Sequence, residues 1–156
     1  EHGADESVPL SFVNHSLYRR DWVLRTLHRQ VLSKQAQPVI AVWGLAYKPN
    51  TKSVKNSPTL ALLDALRGTR VQLYDPQVVL DGGYPNVTQV ASALEACAGA
   101  HALVIMTAWD EFASIPSAVV KERLAQPVVI DPSAAWSKRD LAADGFTYCT
   151  LGRPVA

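Results

Sequence analysis

The sequence predicts an α/β domain, a mostly parallel sheet covered by helices on both faces, preceded by a long N-terminal helix. Three observations predict it. Short apolar runs recur at Val39–Trp43, Val71–Tyr74, Ala102–Met106 and Val128–Ile130. Segments with helically spaced apolar residues lie between them. Most of the runs are nearly continuous in apolar residues, as strands buried on both faces are. Strand and helix in alternation require crossover connections, and the resulting order is a Rossmann-like, three-layer one.

The elements follow in order. Residues 1 to about 10 read as a loose tail closed by Pro9. From Ser11 to about Ser33, Val13, Leu17, Leu24, Leu27 and Val31 fall near one helical face, and Arg19, Arg20, Arg25, Arg29 and Lys34 crowd the rest. Trp22 and Val23 leave apolar surface on more than one side, so this helix is read as a connecting or oligomerisation helix. The strand Val39–Trp43 ends at Gly44, and a polar connection follows with Lys48, Lys52 and Lys55. Ser57 is the expected cap and Pro58 the first residue of the next helix, which runs to about Arg67 with Gly68 as its C-cap. Val71–Tyr74 is the second strand, closed by Asp75-Pro76. Residues 77–87 read as a loop and Thr88 as the cap of a helix reaching about Ala98, ended by Gly99. The third strand is Ala102–Met106. Asp110 or a neighbour caps a helical turn at Glu111–Ile115, and Ser117–Leu124 forms another short helix. The fourth strand, Val128–Ile130, ends at Asp131-Pro132, and Phe146–Thr150 is a last short strand.

Composition narrows the function. The chain has 156 residues, 48% of them apolar, enough for one domain with a real core. A net charge of +1 gives no nucleic-acid footprint. No run is long enough to cross a membrane. No secretory signal is visible, and a start at Glu1 points to processing or to a piece of something longer. Cys97 and Cys149 stand far apart without metal-ligand spacing, and read as reduced, structural thiols of a cytoplasmic protein. No metal site is expected, and neither cysteine nor any of the four histidines has a base or ligand partner nearby in sequence.

Ligands of an open parallel sheet bind beyond the carboxyl ends of its strands. Those ends supply Gly44 to Lys48, Asp75, Thr107 with Trp109, and Asp131 with Ser133. A helix start beside lysines favours a phosphate or other anion. Asp75 stands where a Rossmann enzyme places its ribose carboxylate, although Asp-Pro also simply ends a strand. Neither a three-glycine dinucleotide fingerprint nor a P-loop is present, since Gly44 stands alone. The tryptophans read as packing residues. The residues alone therefore describe a nucleotide- or phosphate-ligand domain without chemistry of its own.

Gly44-Leu-Ala-Tyr-Lys-Pro-Asn-Thr51 followed by Lys55-Asn-Ser-Pro58, then Leu73-Tyr-Asp-Pro76, then Ala102-Leu-Val-Ile-Met-Thr-Ala-Trp-Asp-Glu-Phe112 resemble, in that order, the C-terminal domain of the UDP-glucose/GDP-mannose dehydrogenase family. The resemblance covers about residues 39–153. It implies a nucleotide-sugar 6-dehydrogenase that oxidises the sugar C6 alcohol to a carboxylate with NAD. It places the catalytic residues and the main NAD site in an N-terminal domain upstream, so that this piece is inactive alone. It implies residues 1–36 as the tail and connecting, dimer-forming helix, and 37–156 as the nucleotide-sugar-binding domain. It assigns Lys48, with Tyr47 beside it, to the UDP- or GDP-linked substrate, Asp75, Thr107 and Asp131 to the nucleotide pocket, and Lys55 to the NAD side. The chain departs from the family where an arginine and a glutamate usually precede Ser-Pro, here Lys55 and Asn56. It departs again at Pro132-Ser133-Ala134, where many members carry Gly-Arg, with Arg139 as the nearest replacement. A non-catalytic assembly module and a generic nucleotide-binding domain are the alternatives.

Overall fold

A computed structural model describes residues 18–153 of the chain. Six parallel strands form one sheet in the order β3-β2-β1-β4-β5-β6. They are β1 (Val39–Trp43), β2 (Arg70–Tyr74), β3 (Val87–Gln89), β4 (Ala102–Ile105), β5 (Val128–Asp131) and β6 (Thr147–Thr150). This is the doubly wound order, with its switch point between β1 and β4, so the expected Rossmann-like fold is present.

The central strands earn their places by composition. Every residue of β4 and β5 is buried, as are four of the five in β1. Trp43, at the end of β1, packs 5.0 Å from Phe112 and edge-on to Trp136, which meets Phe146 edge-on in turn. Its indole donates to the Ala93 carbonyl at 2.8 Å, which satisfies the one polar atom of a fully buried ring. Cys97 and Cys149 are free and buried, and burial pushes the Cys97 thiol up to about 12.

The leading helix, α1, is helical from 18 to 27 and widens in its last turn, His28–Leu32, where the Ser33 N–H donates to the His28 carbonyl at 3.0 Å. The expected start of this helix, 11–17, lies outside the described residues. Val23, Leu27 and Val31, spaced along one face, are fully buried in the same core as the sheet. Tyr18 stays exposed, and Trp22 and Leu24 are half-buried.

Between the strands run α2 (Pro58–Ala65), α3 (Ala93–Ala96), α4 (Asp110–Ser114) and α5 (Ser117–Arg123). Two local expectations are corrected. Thr88 is not a helix cap: it sits in β3, where Val87 pairs with Val71, and Ser92 caps the shorter α3 by accepting from Glu95 N–H. The Gln89 amide explains the strand, since it accepts from Leu80 N–H and donates to the Val78 carbonyl, both at 2.7 Å, and so seats the preceding loop. Gly68 adopts no positive φ, and α2 instead closes with Thr69 N–H donating to the Leu66 carbonyl. As expected, Asp110's neighbour takes the cap position of α4: it is Trp109, with no side-chain bond, and Asp110 begins the helix one residue before the expected Glu111.

Candidate functional site

All strands run the same way, so the groups at their carboxyl ends do share one edge. The connection from β1 to α2 crosses that edge at the switch point. Gly44 starts it with φ +97°, its N–H donating to the Tyr74 carbonyl at 2.8 Å. The chain then surfaces at Tyr47 and Lys48, turns through Asn50 (φ 60°) and closes on itself where Tyr47 N–H donates to the Ser53 carbonyl. A second positive φ, 58° at Asn56, leads into the helix. Asparagine is the side chain that best tolerates both positions.

Lys48, Lys52 and Lys55 are all exposed on this loop, and among the described residues none is in an ion pair. The loop that carries these three lysines lies at the switch point, and it presents each of them to solvent. The helix start beside it offers less than expected. Pro58 has no N–H, and the Thr59 N–H is taken by the Ser57 hydroxyl at 3.2 Å. Ser57 in turn donates to the Leu45 carbonyl at 2.7 Å, and Thr59 Oγ1 to the Gly44 carbonyl at 2.9 Å. The cap thus clamps the loop to the helix.

The remaining sequence-predicted residues point inward. Asp75 is 6% exposed. Its Oδ2 accepts from Leu45 N–H (2.7 Å), Ala46 N–H (3.0 Å) and the Trp109 indole (3.3 Å), and its Oδ1 from the Gln77 and Val78 N–H groups at 2.9 Å. Five donors saturate a carboxylate, which has about four lone-pair sites. Thr107 is buried, and its hydroxyl donates to the Ala46 carbonyl at 2.7 Å. Asp131 is fully buried and accepts from the Ser133, Ala135 and Trp136 N–H groups and from Tyr148 Oη. Burial pushes the Asp131 carboxyl above its ordinary range, against those hydrogen bonds; the Tyr148 phenol is raised too, by burial first and by Asp131's charge second.

Tyr47, Lys48 and Lys55 therefore stand exposed on one connection, whereas Asp75, Thr107 and Asp131 are buried in the frame of the sheet edge. Arg139 is not at the loop's side: it stacks 4.4 Å over Trp136 and donates to the Ala113 carbonyl. The sequence reading missed the hydrogen bonds of Trp109 and Tyr148 to the two carboxylates. Asp75 also lines, with Tyr74, Pro76, Gln77, Val79 and Ala91 among others, an open surface cleft of about 560 Å³. Its size suits a small ligand. Burial first, and Glu111 second, push the Tyr74 phenol up to about 12, so it stays a neutral hydrogen-bonding group there. Among the described residues no cluster of three metal-ligating side chains occurs.

Residues 41–138, which contain the loop, Asp75, Thr107 and Asp131, match the family model for the UDP-glucose/GDP-mannose dehydrogenase family, UDP binding domain. The chain belongs to this family. UDP-glucose 6-dehydrogenase of Rhizobium meliloti (strain 1021) is 32% identical over 163 residues, covering 96% of this chain and 36% of that protein. UDP-glucose 6-dehydrogenase TuaD of Bacillus subtilis (strain 168) is 35% identical over 124 residues, covering 74% and 26%. Among solved structures, the UDP-D-ManNAc dehydrogenase of Pyrococcus horikoshii superposes with a TM-score of 0.63 at 27% identity, over 88% of this chain and 31% of that one. NDP-N-acetyl-D-galactosaminuronic acid dehydrogenase of Methanosarcina mazei Go1 reaches 0.73 over 97% and 33%; at 21% identity it speaks for the fold alone. This chain spans about a third of the length of the first curated relatives, 36% and 37%.

Proposed function

We propose that this chain is the nucleotide-sugar-binding C-terminal part of an NAD-dependent nucleotide-sugar 6-dehydrogenase. The observation that supports it is the coincidence of the family match with three exposed lysines on the loop at the switch point of the sheet, none in an ion pair among the described residues. Lys48, with Tyr47 beside it, meets the diphosphate or sugar of a UDP- or GDP-linked substrate. In the complete enzyme the sugar C6 alcohol would be oxidised to a carboxylate, and NAD, held mainly outside this chain, would supply the oxidising power.

The site fits NAD poorly. Gly44 is the loop's one glycine, and the helix start has lost its first N–H groups to Pro58 and the Ser57 cap. NAD therefore belongs mainly to an N-terminal partner domain, with Lys55 reaching toward it. Tyr18 and Trp22, one turn apart on α1 and exposed and half-buried respectively, suit a homodimer contact, which a monomeric mass by light scattering at micromolar chain would remove.

Calorimetric titration of the chain with UDP-glucose, GDP-mannose and NAD tests the reading. One nucleotide sugar is expected to bind, and Lys48→Ala to weaken it about tenfold, the loss of one charge-assisted contact. Undiminished binding by Lys48→Ala removes the role of Lys48. Reduction of NAD by this chain with UDP-glucose would show that it needs no upstream half.

A further inference from the structure

The two surface residues assigned to the substrate are followed and preceded by backbone that has little freedom. Leu45 and Ala46, immediately before Tyr47, are buried. Their N–H groups both point at Asp75 Oδ2, and their carbonyls accept from Ser57 Oγ and Thr107 Oγ1. All four backbone groups of this dipeptide are thus held by side chains from three other parts of the chain. Asp75 is the hub. Its other oxygen holds the turn after β2 through Gln77 and Val78, and Trp109, just beyond β4, completes it. One carboxylate ties together the connections that follow β1, β2 and β4, the strands on either side of the switch point.

We propose that Asp75 is a positioning residue for Lys48: it fixes Leu45–Ala46, and through them the direction in which Tyr47 and Lys48 leave the sheet, without touching the nucleotide itself. The inference rests on the assignment of Lys48 to the substrate, and it replaces the ribose contact expected for an acid at this position. A carboxylate already receiving five N–H groups has no lone pair left for a ribose diol. A loop held in its working direction before the ligand arrives loses less entropy on binding, so the clasp contributes to affinity without a contact of its own.

Three measurements test it. Hydrogen exchange in wild-type chain and Asp75→Asn reads the clasp without any ligand. The Leu45 and Ala46 amides are expected to exchange at least about tenfold faster in the variant, while those of β6 at the far edge change less. A uniform acceleration across the chain overturns the proposal, since Asp75 would then serve stability alone. Trp109→Phe, which removes one donor and keeps an aromatic ring, is the milder variant. It is expected to raise exchange at the same two amides, and it decides the matter if Asp75→Asn does not fold.

Titration with UDP-glucose then reads the coupling. Lys48→Ala is expected to cost about tenfold in the wild-type background and less than about threefold in Asp75→Asn, because a misdirected lysine has little left to lose. Equal losses in both backgrounds overturn the proposal. The 2′-deoxy form of UDP-glucose separates a direct contact from an indirect one. The affinity ratio of the two ligands is expected to be the same in wild type and Asp75→Asn; a ratio that collapses toward one in the variant would place Asp75 on the ribose. Should wild-type chain bind no nucleotide sugar, the substrate assignment fails for the isolated chain, and the exchange result alone upholds or overturns the positioning role.

Discussion

Gly44→Ala is expected to destabilise the chain by about 2–5 kcal/mol, the sum of overpacking and of a positive φ on a residue with a Cβ. For a chain of this size that lowers the melting temperature by about 10 °C. The reason is the closeness of two strand ends. A Cβ built on Gly44 would lie 2.5 Å from Thr107 Cβ, 2.5 Å from its Oγ1 and 2.8 Å from its backbone nitrogen. The first two belong to a side chain anchored to Ala46, and the third to backbone beside Met106, whose own N–H donates to Trp43. None of these atoms is the free end of a flexible chain. The φ of +97° adds its own cost. Gly99→Ala is the control: its φ is +68°, and a Cβ there meets nothing within 4 Å, so only the conformational cost of about 1–2 kcal/mol applies. Urea unfolding of both variants checks the argument. Equal losses would mean that the approach of β1 to β4 is not tight. The substitution also lies next to the clasp, so the variant that folds should present Lys48 less well.

That glycine shows what a sequence can and cannot declare. Gly44 at the end of an apolar run is legible as a strand end, but its close neighbour, Thr107, is 63 positions away and carries no mark of the contact. The strands β1, β4 and β5 are legible because burial on both faces leaves them no choice but apolar residues. The three-residue β3 is not, because its pattern is set by the Gln89 amide and by pairing to β2 rather than by burial. Ser57-Pro58 is legible because capping is a local interaction, and the structure keeps it. Asp75, Thr107 and Asp131 were placed correctly at the carboxyl edge, yet a short polar side chain at a strand end reads the same whether it faces ligand or backbone. What decides it is which N–H groups the fold brings within reach: for Asp75 those of Leu45 and Ala46 in a distant loop, and for Asp131 those of Ala135 and Trp136 in the turn that directly follows it. A buried N–H must find an acceptor, and the carboxylates are the acceptors within reach.

Asp131→Ala carries the second large expected loss, about 3–5 kcal/mol, the cost of leaving several buried donors without an acceptor at about 1–3 kcal/mol each. The side chain is fully buried, and its removal leaves three backbone N–H groups and the Tyr148 hydroxyl without an acceptor. Those N–H groups belong to a turn that passes through Ala134 at φ 55°, a conformation that alanine adopts only under constraint. The turn ends at Trp136, whose indole donates to Phe112 and whose ring packs on Trp43. Loosening it therefore reaches the aromatic core at the end of β1. Tyr148→Phe removes a single donor and should cost about 1.5–3 kcal/mol, the range for one hydrogen bond to a charged group. The pH dependence has a definite sign. Burial raises the Asp131 carboxyl, so the native state holds that proton more tightly than the unfolded chain does. The stability due to this shift is complete below the unfolded value of about 3.9 and is lost as pH rises through the folded one. Measured against Asp131→Asn, which cannot ionise, wild-type stability should fall as pH rises through that interval, by urea midpoints taken at successive pH values. A difference that instead grows with pH would mean that the four hydrogen bonds outweigh burial, and that the carboxylate is ionised throughout.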